Sequence, residues 1–177
     1  MALRRAVEAD QLASSIFHGP PGTGKTTLAR IVASATGARF AELSAVTSSV
    51  RDVRAVLEQA REDLGSRGAR TILFLDEIHR FNKAQQDALL PAVETGLVVL
   101  IGATTENPYF EVNPALLSRC QLYELEPLDK KALARVLQRG AAELKIQLAA
   151  EEADTIAHNA GGDARTALTI LELAASS

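Results

Sequence analysis

The stretch Gly19-Pro-Pro-Gly-Thr-Gly-Lys-Thr26 constrains this chain more than any other. It matches G-x-x-x-x-G-K-[S/T], a pattern that works only between a β-strand and an α-helix. Both neighbours are readable. Ser15-Ile16-Phe17 forms a short apolar strand, and Lys25 to Thr36 carries Leu28, Ile31 and Val32 on one helical face with Gly37 just past the end. The glycines allow backbone N–H groups to turn inward as an anion nest, and the helix starting near Gly24 adds its positive end. In such a loop Lys25 reaches the β- and γ-phosphates of a nucleotide, and the Thr26 hydroxyl is a ligand for Mg²⁺.

The remaining pattern extends this unit. Residues 3–13 have helical spacing ahead of the first strand. Arg39 to Leu43 suits a second strand, and Ser44 to Ser49 is a polar loop. Val50, Val53, Val56, Leu57, Ala60 and Leu64 predict a helix to about Leu64. Thr71-Ile-Leu-Phe-Leu75 is a continuous apolar run, the mark of a parallel strand buried on both faces. Asn82 caps a helix that carries Ala88, Leu89 and Val93 and stops at Thr95-Gly96. Leu97 to Ile101 is another buried strand, Thr104 to Asn113 a loop, and Gln121 to Leu125 a last strand. Strands alternating with helices predict an α/β fold, a parallel five-stranded sheet with helices on both faces. From Pro127 the pattern turns helical only: one helix capped by Asp129, a second over about 150–159, and a third from Asp163 through Leu173. The expected organisation is a nucleotide-binding domain over residues 1–126 and a small all-helical lid over 127–177.

Composition narrows the function. With 47% apolar and 23% charged residues the chain has an ordinary globular balance, which argues against disorder. A net charge of −3 argues against electrostatic coating of DNA; any nucleic-acid contact must come from a local patch or from repetition in an oligomer. The single Cys120 forms no internal disulfide and fits a reducing compartment, and neither a membrane span nor a signal core is present, so a cytoplasmic protein without membrane contact is expected.

Asp76 and Glu77 follow the buried run 72–75, at the same sheet edge as the phosphate loop. There Asp76 can hold the water shell of Mg²⁺, and Glu77 can polarise an attacking water, which implies a hydrolase. Two adjacent acids at a strand end would alternatively cap the next helix. Thr104 and Thr105 end the following strand, and Thr105 is the better candidate to orient water or meet the γ-phosphate, against the alternative of a plain threonine turn.

GPPGTGKTT, LFLDEIHRFNKAQQDALLPAVE, IGATTENPYFEVNPALLSRC and GGDARTALTILE occur in that order. Together they closely resemble the AAA+ ATPases of the replication-associated recombination protein A group (RarA or MgsA), which includes the Werner-helicase-interacting ATPase of eukaryotes. Clamp-loader subunits and the Holliday-junction branch-migration motor share fewer of these stretches. The resemblance implies a P-loop NTPase fold, ATP and Mg²⁺ as nucleotide and metal, and roles for individual residues. Gly19, Pro20, Pro21, Gly22, Thr23, Gly24, Lys25, Thr26 and Thr27 would be Walker A, and Asp76-Glu77 Walker B. Thr26 and Asp76 would serve the metal, Thr105 would be sensor 1, Arg119 an arginine finger and Arg165 sensor 2. It also implies ring-like homo-oligomers (tetramers), work at stalled forks, DNA ends and gaps, and contact with single-stranded-DNA-binding protein. Members carry a longer N-terminal segment and further C-terminal helical domains, so the chain is expected to be an ATPase core.

The remaining polar residues carry weaker readings. Arg51, Arg54, Arg80 and Lys83 would face DNA in a ring or be ordinary solvated charges. Tyr109 and Phe110 are expected to pack on the core rather than touch DNA; His18, His79 and His158 lack metal-ligand spacing and are expected to be structural; Cys120 reads as a small buried apolar residue. Three functions fit: ATP hydrolysis that remodels or marks replication and recombination intermediates, a nucleotide-gated scaffold for replication-fork partners, or a clamp-loader subunit.

Overall fold

A computed structural model describes residues 2–176. By contact the chain forms two compact units. One comprises the residues up to His18 together with Lys25–Glu124, and the other comprises Gly19–Gly24 together with the residues from Leu125 onward.

The first unit is built on five parallel strands, β1 (Ser15–His18), β2 (Arg39–Ser44), β3 (Thr71–Asp76), β4 (Val98–Thr104) and β5 (Gln121–Glu124), in the order β2-β3-β4-β1-β5. This is the sheet that the alternation of strand and helix predicted. β3 is buried along its whole apolar run, as a strand covered on both faces must be. Ile16, Phe17, Leu73, Leu75, Leu100 and Ile101 are wholly buried. The helices are α1 (Ala2–Glu8), α2 (Lys25–Thr36) and α3 (Val50–Arg67). α1 is shorter than the periodicity of residues 3–13 suggested, because the chain turns at Asp10, whose φ is +54°. α3 continues through Gly65 to a left-handed Gly68 cap.

Three further local features differ from the sequence expectation. The helix capped by Asn82 is two short ones, α4 (Lys83–Asp87) and α5 (Leu90–Glu94). Pro91 explains the break: it lacks an N–H, and in an unbroken helix its ring would collide with the carbonyl four residues back, that of Asp87, where α4 ends. β4 runs on to Thr104, and Gly102 permits this, since a Cβ there would lie 2.8 Å from Ile16 Cδ1 and 2.9 Å from Ile78 Cδ1. The expected loop from Thr104 to Asn113 contains α6 (Pro108–Glu111), and α7 (Pro114–Leu117) follows. Each is opened by an Asn-Pro pair, in which the Asn side chain accepts from the N–H two residues on and the Pro occupies the first helical turn.

The second unit packs α8 (Lys130–Leu144), α9 (Ala150–Ala160) and α10 (Ala164–Ala175) around Leu133, Leu137, Ala157, Ala167 and Leu171. Asp129 and Asp163 cap α8 and α10 as expected. Among the described residues no helix is long and apolar enough to cross a membrane.

Candidate functional site

The carboxyl edge of the sheet collects the chemistry of the first unit. Ser15 to His18 of β1 pair with Ile101 to Thr104 of β4, and Thr71 to Leu75 of β3 pair with Val98 to Gly102. The ends of β1, β4 and β3 therefore lie side by side. β1 leads into the glycine loop, α2 begins at the buried Lys25, and Thr26 is its second residue, half-buried. Thr27 is exposed on the same turn.

Asp76 is the last residue of β3 and is half-buried, with Oδ1 accepting the Glu77 N–H at 3.1 Å. A threonine hydroxyl and an aspartate carboxylate are hard oxygen donors, the kind Mg²⁺ prefers, so these two residues fit that ion. Glu77 does not cap the next helix through its side chain. Its backbone is left-handed, with φ +54° and ψ +43°, and it opens a 3₁₀ turn over Ile78–Arg80. A non-glycine residue in that region is strained by about 1–2 kcal/mol, and such strain gathers at functional positions. Ile78 is wholly buried and anchors the turn.

His79, expected from sequence to be structural, belongs to this site. Its Nε2 lies 3.2 Å from Glu77 Oε2, and its Nδ1 lies 2.9 Å from Thr104 Oγ1. Thr104 is wholly buried, and its hydroxyl also accepts the Glu106 N–H at 3.0 Å. Thr105, the preferred candidate in the sequence, is exposed just beyond the strand. The signal that could have found His79 is its place two residues after Glu77 in a turn that folds back on β4.

The glycine loop belongs by its contacts to the helical unit. Thr23 Oγ1 donates to the Pro20 carbonyl at 3.0 Å, which tightens the loop; Pro21 is exposed and Gly24, with φ +88°, leads into α2. Two of its glycines are required by close approach. A Cβ on Gly19 would stand 2.1 Å from the Leu125 carbonyl oxygen, and one on Gly22 would stand 1.7 Å from Asp163 Oδ1. The Ala164 N–H donates to the Gly22 carbonyl at 3.0 Å. The N-terminus of α10 is thus hydrogen-bonded to the phosphate loop, and Arg165 is exposed one residue further on.

Arg119 sits elsewhere. It precedes β5, whose first residue Gln121 pairs with Ser15 at the start of β1, and it lines a groove with Leu12, Ser14, Gly96 and Val98. That is the amino edge of the sheet, the opposite end from Lys25, Asp76 and Glu77. Its guanidinium donates through Nη1 to the Ala115 carbonyl at 2.6 Å and to Ser118 Oγ at 3.1 Å, and Nη2 lies 2.6 Å from Glu94 Oε1. The turn beneath it is fixed by the wholly buried Leu116 and by Gln86. The Gln86 amide donates to the Phe81 and Glu111 carbonyls and accepts from the Asn113 N–H at 2.7 Å, so one buried side chain ties α4 to the start of α7. Sequence reading passed over Gln86.

The other candidates scatter. Tyr109 and Phe110 are 68% and 83% exposed, so they do not pack on the core; Val112 fills that place. Arg51, Arg54, Arg80 and Lys83 are exposed. Burial pushes the Cys120 thiol up to about 11, which leaves it unreactive near neutrality.

Residues 15–128 match the family model described as ATPase family associated with various cellular activities (AAA). Replication-associated recombination protein A of Escherichia coli K12 is 49% identical over 98% of this chain and 40% of its own length. ATPase WRNIP1 of Dictyostelium discoideum is 46% identical over 97% of this chain and 20% of its own length. The solved structure of the Thermotoga maritima RuvB Holliday junction branch migration motor superposes with a TM-score of 0.78 at 31% identity, covering 97% of this chain and 57% of that one. The chain thus spans two fifths or less of the length of these curated relatives.

Proposed function

From the chain's membership of the AAA family of ATPases, we propose that it hydrolyses ATP with Mg²⁺ and that the protein uses this reaction on DNA replication and recombination intermediates. The observation that carries the first part is the gathering of Lys25 and Thr26, after β1, with Asp76 and Glu77, at the end of β3, on the same edge of the sheet on either side of β4. Loop N–H groups from Gly19 to Gly24 bind the phosphates, and the buried Lys25 neutralises the β- and γ-oxygens. Thr26 and Asp76 would hold Mg²⁺, which would offset phosphate charge. Glu77 orients the attacking water and accepts its proton. Thr105 at the strand end and Arg165 at the start of α10 act as sensors of the γ-phosphate.

Arg119 serves a neighbouring subunit. Its distance from its own Lys25 along the sheet supports this reading, and it makes a homo-oligomer part of the mechanism. The tetramer, the preference for forks, ends or gaps, the contact with single-stranded-DNA-binding protein and a nucleoid location at the replication fork follow the same resemblance. The names of the two curated relatives and of the RuvB motor support a role in replication and recombination.

The test is ATP hydrolysis against protein concentration, with and without forked DNA. Wild-type rates in Glu77→Gln would remove Glu77 from the mechanism. A rate unaffected by forked DNA in the full-length protein would remove DNA from it.

A further inference from the structure

We propose that His79 is a positioning residue for Glu77: its imidazole ties the Glu77 carboxylate to the buried Thr104 hydroxyl at the end of β4, so that the strand end sets where the base stands. The inference rests on Glu77 being the base and concerns how that base is held.

Hydrogen-bond bookkeeping fixes the direction of the chain. Glu77 as a carboxylate only accepts, so a neutral His79 must present Nε2–H to Oε2 at 3.2 Å. Nδ1 is then the acceptor, and the Thr104 hydroxyl donates to it at 2.9 Å. Thr104 keeps a lone pair for the Glu106 N–H at 3.0 Å. Of the two neutral tautomers only this one points a donor at the carboxylate; the other would set the Nε2 lone pair against it.

Position reinforces the argument. The His79 side chain is 13% exposed and Thr104 is wholly buried, so the anchor is rigid, while the Glu77 side chain is 34% exposed and needs a restraint. The left-handed backbone at Glu77 fixes where the side chain departs from the chain, and the imidazole contacts one carboxylate oxygen, Oε2. A general base works only within hydrogen-bond reach of its proton, so loosening it lowers turnover without weakening nucleotide binding. Thr105 and Glu106 follow Thr104, so a shift of that loop on meeting a γ-phosphate would reach Glu77 through the Thr104–His79 hydrogen bond and the His79–Glu77 contact.

The experiment is single-turnover ATP hydrolysis with the chain in excess, alongside the affinity for a non-hydrolysable ATP analogue, in His79→Ala, Thr104→Val, Thr104→Ser, His79→Ala/Thr104→Val and Glu77→Gln. His79→Ala is expected to slow hydrolysis by about 10–100-fold, the range seen when a supporting partner of a site residue is lost, with analogue affinity unchanged. Thr104→Val is expected to slow it in the same direction, Thr104→Ser to recover most of that loss, and the double variant to be no slower than His79→Ala, because the two act as one chain. The ¹⁵N shifts of His79 read the wiring whether or not the isolated chain turns over, and should report Nε2–H in the neutral ring. Additive losses, a loss of analogue affinity with an intact rate, or an Nδ1–H neutral ring overturns the proposal. Glu77→Gln separates the two levels: if it is inactive while His79→Ala hydrolyses normally, only the positioning role fails, and if it is active, the assignment of the base fails.

Discussion

Complementation between two inactive variants tests Arg119 most sharply. Gln121 is level with Ser15, and three residues on, Glu124 is level with His18, where β1 ends and the glycine loop begins. Those three steps at about 3.3 Å each amount to roughly 10 Å, and Arg119 starts from behind Gln121. It is also held away from that edge by the Ala115 carbonyl and by Glu94. The Glu94 pair is 40% and 47% exposed, and an ion pair of that kind is worth about 0–1 kcal/mol, so it orients Arg119 but yields to a neighbour's phosphate. Arg119→Ala has an intact site and no finger; Glu77→Gln has a finger and a disabled base. Alone, the first should lose on the order of 10³–10⁵ in rate and the second about 10²–10⁴. Mixed in equal amounts at random, roughly half the sites keep Glu77 and roughly half of those meet an intact Arg119 next door. About a quarter of the wild-type rate per subunit should return. The assay is steady-state ATPase after mixing, with the wild type titrated in parallel to show a rate per subunit that rises with concentration. A mixture no faster than its components beside an active wild type, or a wild-type rate independent of concentration, refutes the reasoning.

Gly22→Ala should destabilise the helical unit by about 2–4 kcal/mol in urea unfolding followed by circular dichroism, from the left-handed strain together with displacement of the Asp163 cap. Adding Asp163→Gly should then cost less than it does alone, and strict additivity would show that the carboxylate is not what the new methyl meets. Gln86→Leu should cost about 2–4 kcal/mol by leaving backbone groups of Phe81, Glu111 and Asn113 unpaired, and it should lower ATPase in assembled protein by loosening the turn that carries Arg119. Cys120, with its thiol pushed up to about 11 by burial, should react with a thiol reagent at pH 8 far more slowly than a free cysteine. Unfolding in denaturant should restore the ordinary rate.

Much of this protein was legible in the chain because its signals are local. A glycine loop, the helix that follows it and an acid pair at the end of an apolar run are properties of a few consecutive residues. The backbone conformations they need are set by sterics and by the helix end. The caps at Asn82, Asp129 and Asp163 were readable for the same reason. Pro91 was also in view, but a break between Asp87 and Leu90 depends on a clash with a carbonyl four residues back, which apolar periodicity does not record.

What the tertiary structure decided are relations between distant segments. Strand order brought Thr104 beside His18 and close to His79, and burial then separated it from the exposed Thr105, though the two look alike in sequence. Parallel pairing of β5 with β1 put Arg119 at the opposite edge of the sheet from Glu77. Glu94 and Gln86 acquired roles only through that placement. Sequence determines which groups the chain carries and how each local turn bends. Which of them meet is fixed by the burial of long-range strand pairs, an energy shared across the sheet and written in no single motif.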